Sequence, residues 1–301
     1  VRFSAISHKS TITVLPTIMP ELPEVETIMQ GMRPALEQRF LQKVQVNRPD
    51  LRRPFPAHLK ETLTQRRIIK LYRRAKYILA DLEGGWTLLI HLGMSGRIFI
   101  DPPGHPIEER RHEHVVMITD EHTRLALVDP RRFGMVDLFR TEEAAHYPPL
   151  ASLGIEPLDD GALTPEHLKH ALGKSLTPIK NALLDQKRIV GLGNIYVCEA
   201  LFRASIHPAR PATQLTNKER ERLCMIIPEI LHEAIKAGGS TLRDYVTTDG
   251  EKGTFQTMHQ VYGREGEECI FCAQHHKKTA LIMRITQSGR STFFCPQHQR
   301  K

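Results

Sequence analysis

Near the C-terminus, Cys269-x2-Cys272 is followed after 22 residues by Cys295-x2-His298. A two-residue gap lets both side chains of a pair reach one tetrahedral ion at about 2.0–2.3 Å, and three thiolates with one imidazole form a normal structural zinc set. Four protein ligands leave no open position, so the expected cofactor is one structural Zn2+ held by Cys269, Cys272, Cys295 and His298. His275 and His276 are rival ligands, although the adjacent Lys277 and Lys278 favour exposure. Between the pairs, Leu281–Ile285, Ser288-Gly289-Arg290 and Thr292–Phe294 read as a β-hairpin, with Arg290 at its tip, well placed to reach a phosphate. The remaining cysteines, Cys198 and Cys224, lie among apolar residues and read as buried core thiols.

A second stretch, KRIVGLGN (Lys187–Asn194), sits between two helical segments. Its glycines free the backbone to turn, and Asn194 opens the next helix, whose first N–H groups favour an anion such as phosphate. A third, IMPELPEVET (Ile18–Thr27), reads like the beginning of a chain although eighteen residues precede it. Residues 1–18 are poor in acids and rich in Ser and Thr, as in a transit peptide, but carry only Arg2 and Lys9 as fixed positive charges. They read as an over-long start, with Met19 as the initiator.

The elements that must position these groups follow from periodicity. Val25, Ile28, Met29, Met32 and Leu36 recur at helical spacing, and Pro34 should end or kink that helix. Eight β-rich runs follow: Lys43–Val46, Ile68–Tyr72, Lys76–Leu82, Trp86–Leu92, Arg97–Ile100, His114–Thr119, Arg124–Val128 and Met135–Phe139. Turn residues punctuate them, the pattern of an antiparallel sandwich or barrel. Beyond Tyr147-Pro148-Pro149 come helical patterns at about Pro165–Leu172, Ile179–Gln186, Ile195–Ala204 and Asn217–Ala237, the last stopped by Gly238-Gly239. The expected fold is a multidomain α+β chain: an extension (1–19), an antiparallel β-sandwich with a leading helix (20–148), a helical domain (149–258) and a metal-bearing ribbon (259–301). No apolar run reaches membrane-spanning length. Lys and Arg number 42 against 34 Asp and Glu, and a net charge of +8 tilts the chain towards an anionic partner.

PELPEVET (Pro20–Thr27), KRIVGLGNIYVCEALF (Lys187–Phe202) and GRSTFFC (Gly289–Cys295) together resemble the formamidopyrimidine-DNA glycosylase family. RRAKY (Arg73–Tyr77), HLGMSG (His91–Gly96) and DPRRFG (Asp129–Gly134) extend the likeness from Met19 almost to Lys301. It implies a helix-two-turn-helix domain, a zinc-finger ribbon, and a base-excision-repair enzyme that removes oxidised purines from double-stranded DNA and cleaves the abasic strand through an N-terminal proline amine. A bacterial, cytoplasmic, nucleoid-associated monomer is the corresponding expectation. Leu22 points to the oxidised-purine branch rather than to the related pyrimidine-lesion branch, which typically reads PEGPE.

The residues support that chemistry. An α-amino group titrates near 8 and a lysine near 10.4, so roughly a tenth of a terminal amine is free base at pH 7. Attached to Met19, Pro20 is instead an amide, its lone pair delocalised. Glu21 is the candidate acid/base, with Glu24 and Glu26 expected to serve the helix dipole. By the resemblance, Lys76 lies beside the amine as a phosphate or sugar contact and Lys180 near the damaged base. Met94, Arg131 and Phe133 fill the hole left by an everted nucleotide, and His112, Asn194 and Arg290 hold phosphates. The Thr247–Thr257 segment corresponds to the family's base-capping loop. Two departures stand out: the family's last zinc ligand is usually Cys where this chain has His298, and the ribbon is longer, with QHHKKT as the insertion. A non-catalytic DNA-binding protein with a blocked terminus is the reading from a different class.

Overall fold

Two four-stranded antiparallel sheets enclose one core behind a leading helix in the computed structural model, which describes residues 19–104, 106, 110–240, 254–275 and 279–300. Helix α1 (Leu22–Leu36) buries Val25, Ile28, Met29, Met32 and Leu36, the helical-period face read from the sequence. Pro34 sits in its last turn and does not end it there, since the chain leaves the helix only at Glu37. Strands β1 (Leu41–Val46), β2 (Ile68–Arg74), β3 (Tyr77–Leu82), β4 (Trp86–His91), β5 (Arg97–Asp101), β6 (Glu113–Thr119), β7 (Arg124–Val128) and β8 (Met135–Arg140) follow, with a short helix α2 (Leu59–Leu63) between β1 and β2. One sheet runs β1-β6-β7-β5 and the other β2-β3-β4-β8. Inward residues of both, such as Val44, Ile78, Ile90, Val115 and Leu127, share the core with α1.

The second sheet is covered on its other face. Leu79, Leu89, Met135 and Phe139 pack beneath Tyr147 and Leu150, the latter on a one-turn helix α3 (Pro148–Ala151). The helical part comprises α4 (Pro165–Leu172), α5 (Ile179–Leu183), α6 (Asn194–Arg203) and α7 (Asn217–Lys236). Its core contains Leu22 of α1, so the start of the β module is seated in the helical one. Thr216 and Glu219 form a reciprocal capping box at the head of α7, and Gly238 and Gly239, both at positive φ, turn the chain away from its end. The last segment carries α8 (Ile270–His275) and the hairpin β9 (Met283–Gln287) and β10 (Arg290–Phe294), joined through Ser288-Gly289. Its small core packs on Cys198 and Phe202 of α6. Cys198 is buried as expected, whereas Cys224 is only half-buried at the edge of the helical core.

Among the described residues, no helix is long and apolar enough to cross a membrane. Residues 1–18, and 247–253 of the expected base-capping loop, lie outside the described residues. Thr254 begins a single helical turn there, with Phe255 fully buried.

Candidate active site and nucleic-acid interface

Glu21 is the best-defined feature of the site. It is 2 % exposed, and its carboxylate accepts hydrogen bonds from the backbone N–H groups of Ile195 (2.9 Å) and Tyr196 (3.4 Å). The head of α6, expected to offer its N–H groups to a phosphate, thus spends two of them on a side chain from the start of the chain. The glycines of KRIVGLGN make this approach possible. A Cβ at Gly193 would lie 2.2 Å from Cδ of Glu21, and Gly191, at φ +81°, leaves room for Leu22, whose N–H bonds its carbonyl at 3.0 Å. Gly193→Ala should therefore displace the Glu21 carboxylate and lower turnover by about tenfold or more. Steady-state kinetics beside a thermal melt would separate that loss from unfolding.

Burial raises the Glu21 carboxyl from the ordinary carboxylate range to about 7, against the opposing pull of Lys76. Such a group exchanges a proton near neutral pH, as an acid/base catalyst must. Glu24 is the first-turn acid of α1, as expected, but it is buried rather than solvated. It is 1 % exposed and accepts from the Glu21 N–H (2.9 Å), the Tyr196 hydroxyl (2.6 Å) and the Ser240 N–H (2.8 Å). Glu26 pairs with Arg73 at 2.7 Å.

Lys76 lies not on a strand but on the two-residue turn between β2 and β3, where Ala75 takes φ +55°. The turn is pinned from the helical side. Glu156 accepts from Arg73 (2.7 Å), Arg74 (3.1 Å) and the Ala75 N–H (2.9 Å). Lys76 is 6 % exposed, and burial holds its ammonium below the ordinary lysine range although Glu21 and Glu24 oppose the shift.

A cleft of about 430 Å³ opens at this point between the modules. Met19, Lys76, Tyr77, His91, Leu192 and Arg290 are among its walls, and Pro20, which follows Met19, is buried. Sequence reasoning missed His91. Its Nδ1 accepts the Gly93 N–H at 3.1 Å, which leaves the proton on Nε2, and burial together with Lys76 and Arg52 lowers its pKa to about 4. A neutral imidazole of fixed tautomer is a hydrogen-bond donor at neutral pH. The signal was the i, i+2 turn within HLG, legible only once the turn is known. Exposed Arg52 and Arg53 also act on this region, on His91 and Tyr77, and neither forms an ion pair among the described residues.

The other expected contacts divide. Lys180 is fully buried in α5 and its Nζ has no hydrogen-bond partner among the described residues. Asn194 donates to the Ser291 carbonyl (2.8 Å) and the Tyr262 hydroxyl (3.3 Å), tying α6 to the ribbon. Arg290 stands exposed on the first residue of β10 and reaches the cleft. Met94, Arg131 and Phe133 come together at one end of the sandwich, on the β4–β5 and β7–β8 connections. Phe133 is 42 % exposed, with the Arg131 guanidinium over its ring at 4.8 Å. His112 is exposed at positive φ next to buried His114, the ring centroids 6.4 Å apart.

In the ribbon, the thiols of Cys269, Cys272 and Cys295 are buried and lie within 4.8 Å of one another, a grouping able to hold a metal ion. The expected fourth ligand is not brought into it. His298 points its Nε2 to the Phe202 carbonyl (3.0 Å) and the Ser205 hydroxyl (3.1 Å), with its ring against Phe202 and Phe271. The side chain meets the end of α6 and the residues just after it, where Gln299 also donates to the Ile206 carbonyl at 2.9 Å. Exposed His275 stacks on Phe271 and donates from Nδ1 to its carbonyl at 3.0 Å, and His276 lies outside the described residues.

An antiparallel sandwich, a helical module whose glycine turn clasps the start of α1, and a three-thiol ribbon meeting at one cationic cleft define a DNA-glycosylase architecture. The family model of the formamidopyrimidine-DNA glycosylase N-terminal domain matches residues 19–136, and that of the formamidopyrimidine-DNA glycosylase H2TH domain matches 153–246. The formamidopyrimidine-DNA glycosylase of Gluconobacter oxydans is 57 % identical over 282 residues, 94 % of this chain and all of that one. The crystal structure of the MutM (Fpg) protein from Thermus thermophilus superposes with a TM-score of 0.81 at 39 % identity, covering 93 % of this chain and 98 % of that one. A Lactococcus lactis FPG mutant, in complex with a Fapy-dG containing DNA, superposes at 0.83 with 34 % identity, covering 94 % and 100 %. The chain belongs to the formamidopyrimidine-DNA glycosylase family.

Proposed function

We propose that this chain excises oxidised purines, 8-oxoguanine and formamidopyrimidines, from double-stranded DNA and then cleaves the abasic strand. The observation that carries the mechanism is the cationic cleft that Met19 lines together with Lys76 and Arg290, with Pro20 and buried Glu21 following Met19 in the chain. The Lactococcus complex with Fapy-dG containing DNA supports the substrate class. Released from Met19, which lines the cleft, the Pro20 nitrogen becomes a secondary amine. It attacks C1′ of the damaged nucleotide, the bond to the base breaks, and the base leaves with the glycosidic electron pair and a proton. The nitrogen then gives up its own proton, its lone pair breaks the C1′–O4′ bond as a proton is delivered to O4′, and the resulting ring-opened iminium ion is an electron sink. Loss of a C2′ proton expels the 3′ phosphate, and a second elimination expels the 5′ phosphate.

Glu21 supplies and removes protons at the sugar, its raised pKa keeping both forms populated near neutrality. Lys76, His91 and Arg290 present donors to the phosphates on either side of the everted nucleotide. Met94, Arg131 and Phe133 occupy the space it vacates: an apolar plug, a guanidinium for the orphaned partner base and an aromatic wedge. Lys180, with its unpaired buried ammonium, serves the damaged base, and His112 and Asn194 serve the backbone around the kink. Incubation with a duplex carrying 8-oxoguanine opposite cytosine tests the reaction. Release of the base with strand scission supports it, and an intact duplex refutes it.

The three clustered thiols suit zinc in donor chemistry, and the ion is structural, locking the ribbon that presents Arg290. Cys272→Ala should lose the metal, whereas His298→Ala should retain it, as measured by elemental analysis after dialysis. A metal-free His298→Ala protein would return His298 to the ligand set.

A further inference from the structure

We infer that Asp129 and Ser95 form a clasp that sets Met94, Arg131 and Phe133 as one unit, making Asp129 a positioning residue for insertion into the duplex. This rests on the reading above that these three side chains fill the vacated space. Asp129 is fully buried, and among the described residues no cationic side chain forms an ion pair with it. A buried carboxylate is costly unless neutral donors satisfy it, and here they come from the two connections that carry the insertion residues. The Ser95 hydroxyl donates to Oδ1, and the Gly134 N–H donates to Oδ2 at 2.7 Å. Ser95 in turn accepts the Arg131 N–H at 3.1 Å. One hydroxyl, adjacent in sequence to Met94, therefore bridges the carboxylate and the backbone of Arg131.

Packing closes the same unit. A Cβ at Gly93 would lie 2.3 Å from the Phe133 carbonyl carbon, and one at Gly134 would lie 2.9 Å from Asp129 Oδ2. The two connections thus touch backbone to backbone, with no side chain between them. The backbone of Asp129 extends the clasp to β6: the His114 Nε2–H donates to its carbonyl at 2.8 Å, and its N–H donates to the His112 carbonyl at 3.1 Å. The Arg52 N–H holds the Gly134 carbonyl at 3.1 Å from the far side. Half-buried Met94 and exposed Arg131 and Phe133, on two separate loops, are in this way fixed to one buried carboxylate. An insertion that must place a plug, a guanidinium and a wedge together loses rate steeply when one drifts by an ångström.

The test uses duplexes in which 2-aminopurine neighbours the lesion, so that fluorescence reports unstacking, and single-stranded abasic DNA, which has no stack to fill. Asp129→Asn and Ser95→Ala should each slow the fluorescence change by about tenfold or more. Cleavage of the single-stranded abasic DNA should stay within about twofold, and Ser95→Thr, which keeps the hydroxyl, should restore most of the duplex rate. Met94→Ala is measured in parallel. If it too leaves the fluorescence unchanged, the void-filling reading fails and the clasp with it. If Met94→Ala slows the change while both clasp variants do not, or if the clasp variants lose duplex and single-stranded activity together, the clasp alone is overturned.

Discussion

Protein whose first residue is Pro20 should excise 8-oxoguanine and form a covalent intermediate, and the same chain carrying Met19 should do neither. The difference should exceed about a thousandfold, because the lone pair of an amide nitrogen is delocalised into its carbonyl and cannot attack C1′. Both proteins should bind a lesion duplex, since Lys76, Arg290 and the insertion residues are present in each. Met19 itself lines the cleft, so its removal both frees the nitrogen and opens the space in front of it. Intact-mass measurement beside single-turnover kinetics checks this. Equal activity of the two forms would mean that another amine carries the chemistry.

The second large effect belongs to Glu21→Gln. The amide oxygen can keep the shorter bond, from the Ile195 N–H, and only the long bond from Tyr196, which goes to the other carboxylate oxygen, is given up, so the head of α6 stays capped and the fold survives. The proton is lost, and base excision should fall by about 10² to 10⁴ with DNA affinity nearly unchanged. Stability gives an independent reading in the Met19-bearing form. The folded carboxyl titrates at about 7 against 4.5 for an ordinary one. Between those values the native state holds a proton that the unfolded state has released. The stability this confers is present below about pH 4.5 and lost as pH rises through about 7. The Glu21→Gln protein should lack that decline, as denaturant titrations across the range would reveal. A parallel slope in both proteins would place the Glu21 carboxyl at an ordinary pKa.

Much of the framework was legible because local pattern and tertiary role coincide. Arg124–Val128 and Pro165–Leu172 occupy the residues that alternation and helical spacing indicated, and the other strands differ only at their ends. Lys76 shows where boundaries slip: it continues the polar–apolar texture of β3, but the hairpin needs a two-residue turn, and Ala75 and Lys76 supply it. The short α2, α3 and α8 were missed, since each is at most six residues and too brief to display a period. The site was legible in its residue types and not in its wiring. The glycines of KRIVGLGN suggested an open anion site, yet the group that takes the α6 N–H bonds is Glu21, 174 residues earlier than Ile195. Glu24 is the first-turn acid its position indicated, but its bonds to Tyr196 and Ser240, far along the chain, were not legible. His298 had ligand spacing, but spacing cannot report that Phe202, on α6, and Ser205, just beyond it, offer its ring nitrogen partners. Nothing local in DPRRFG announces that its aspartate reaches the serine of HLGMSG.

The central claim is that the Pro20 amine is the nucleophile, and borohydride trapping followed by peptide mapping tests it most directly. Pro20-starting protein is incubated with duplex 8-oxoguanine DNA, reduced, digested and sequenced by mass spectrometry. The account predicts a single reduced adduct on the N-terminal peptide, at the Pro20 nitrogen, absent when Met19 is retained. An adduct on the peptide carrying Lys76, or no adduct while the base is still released, would contradict it.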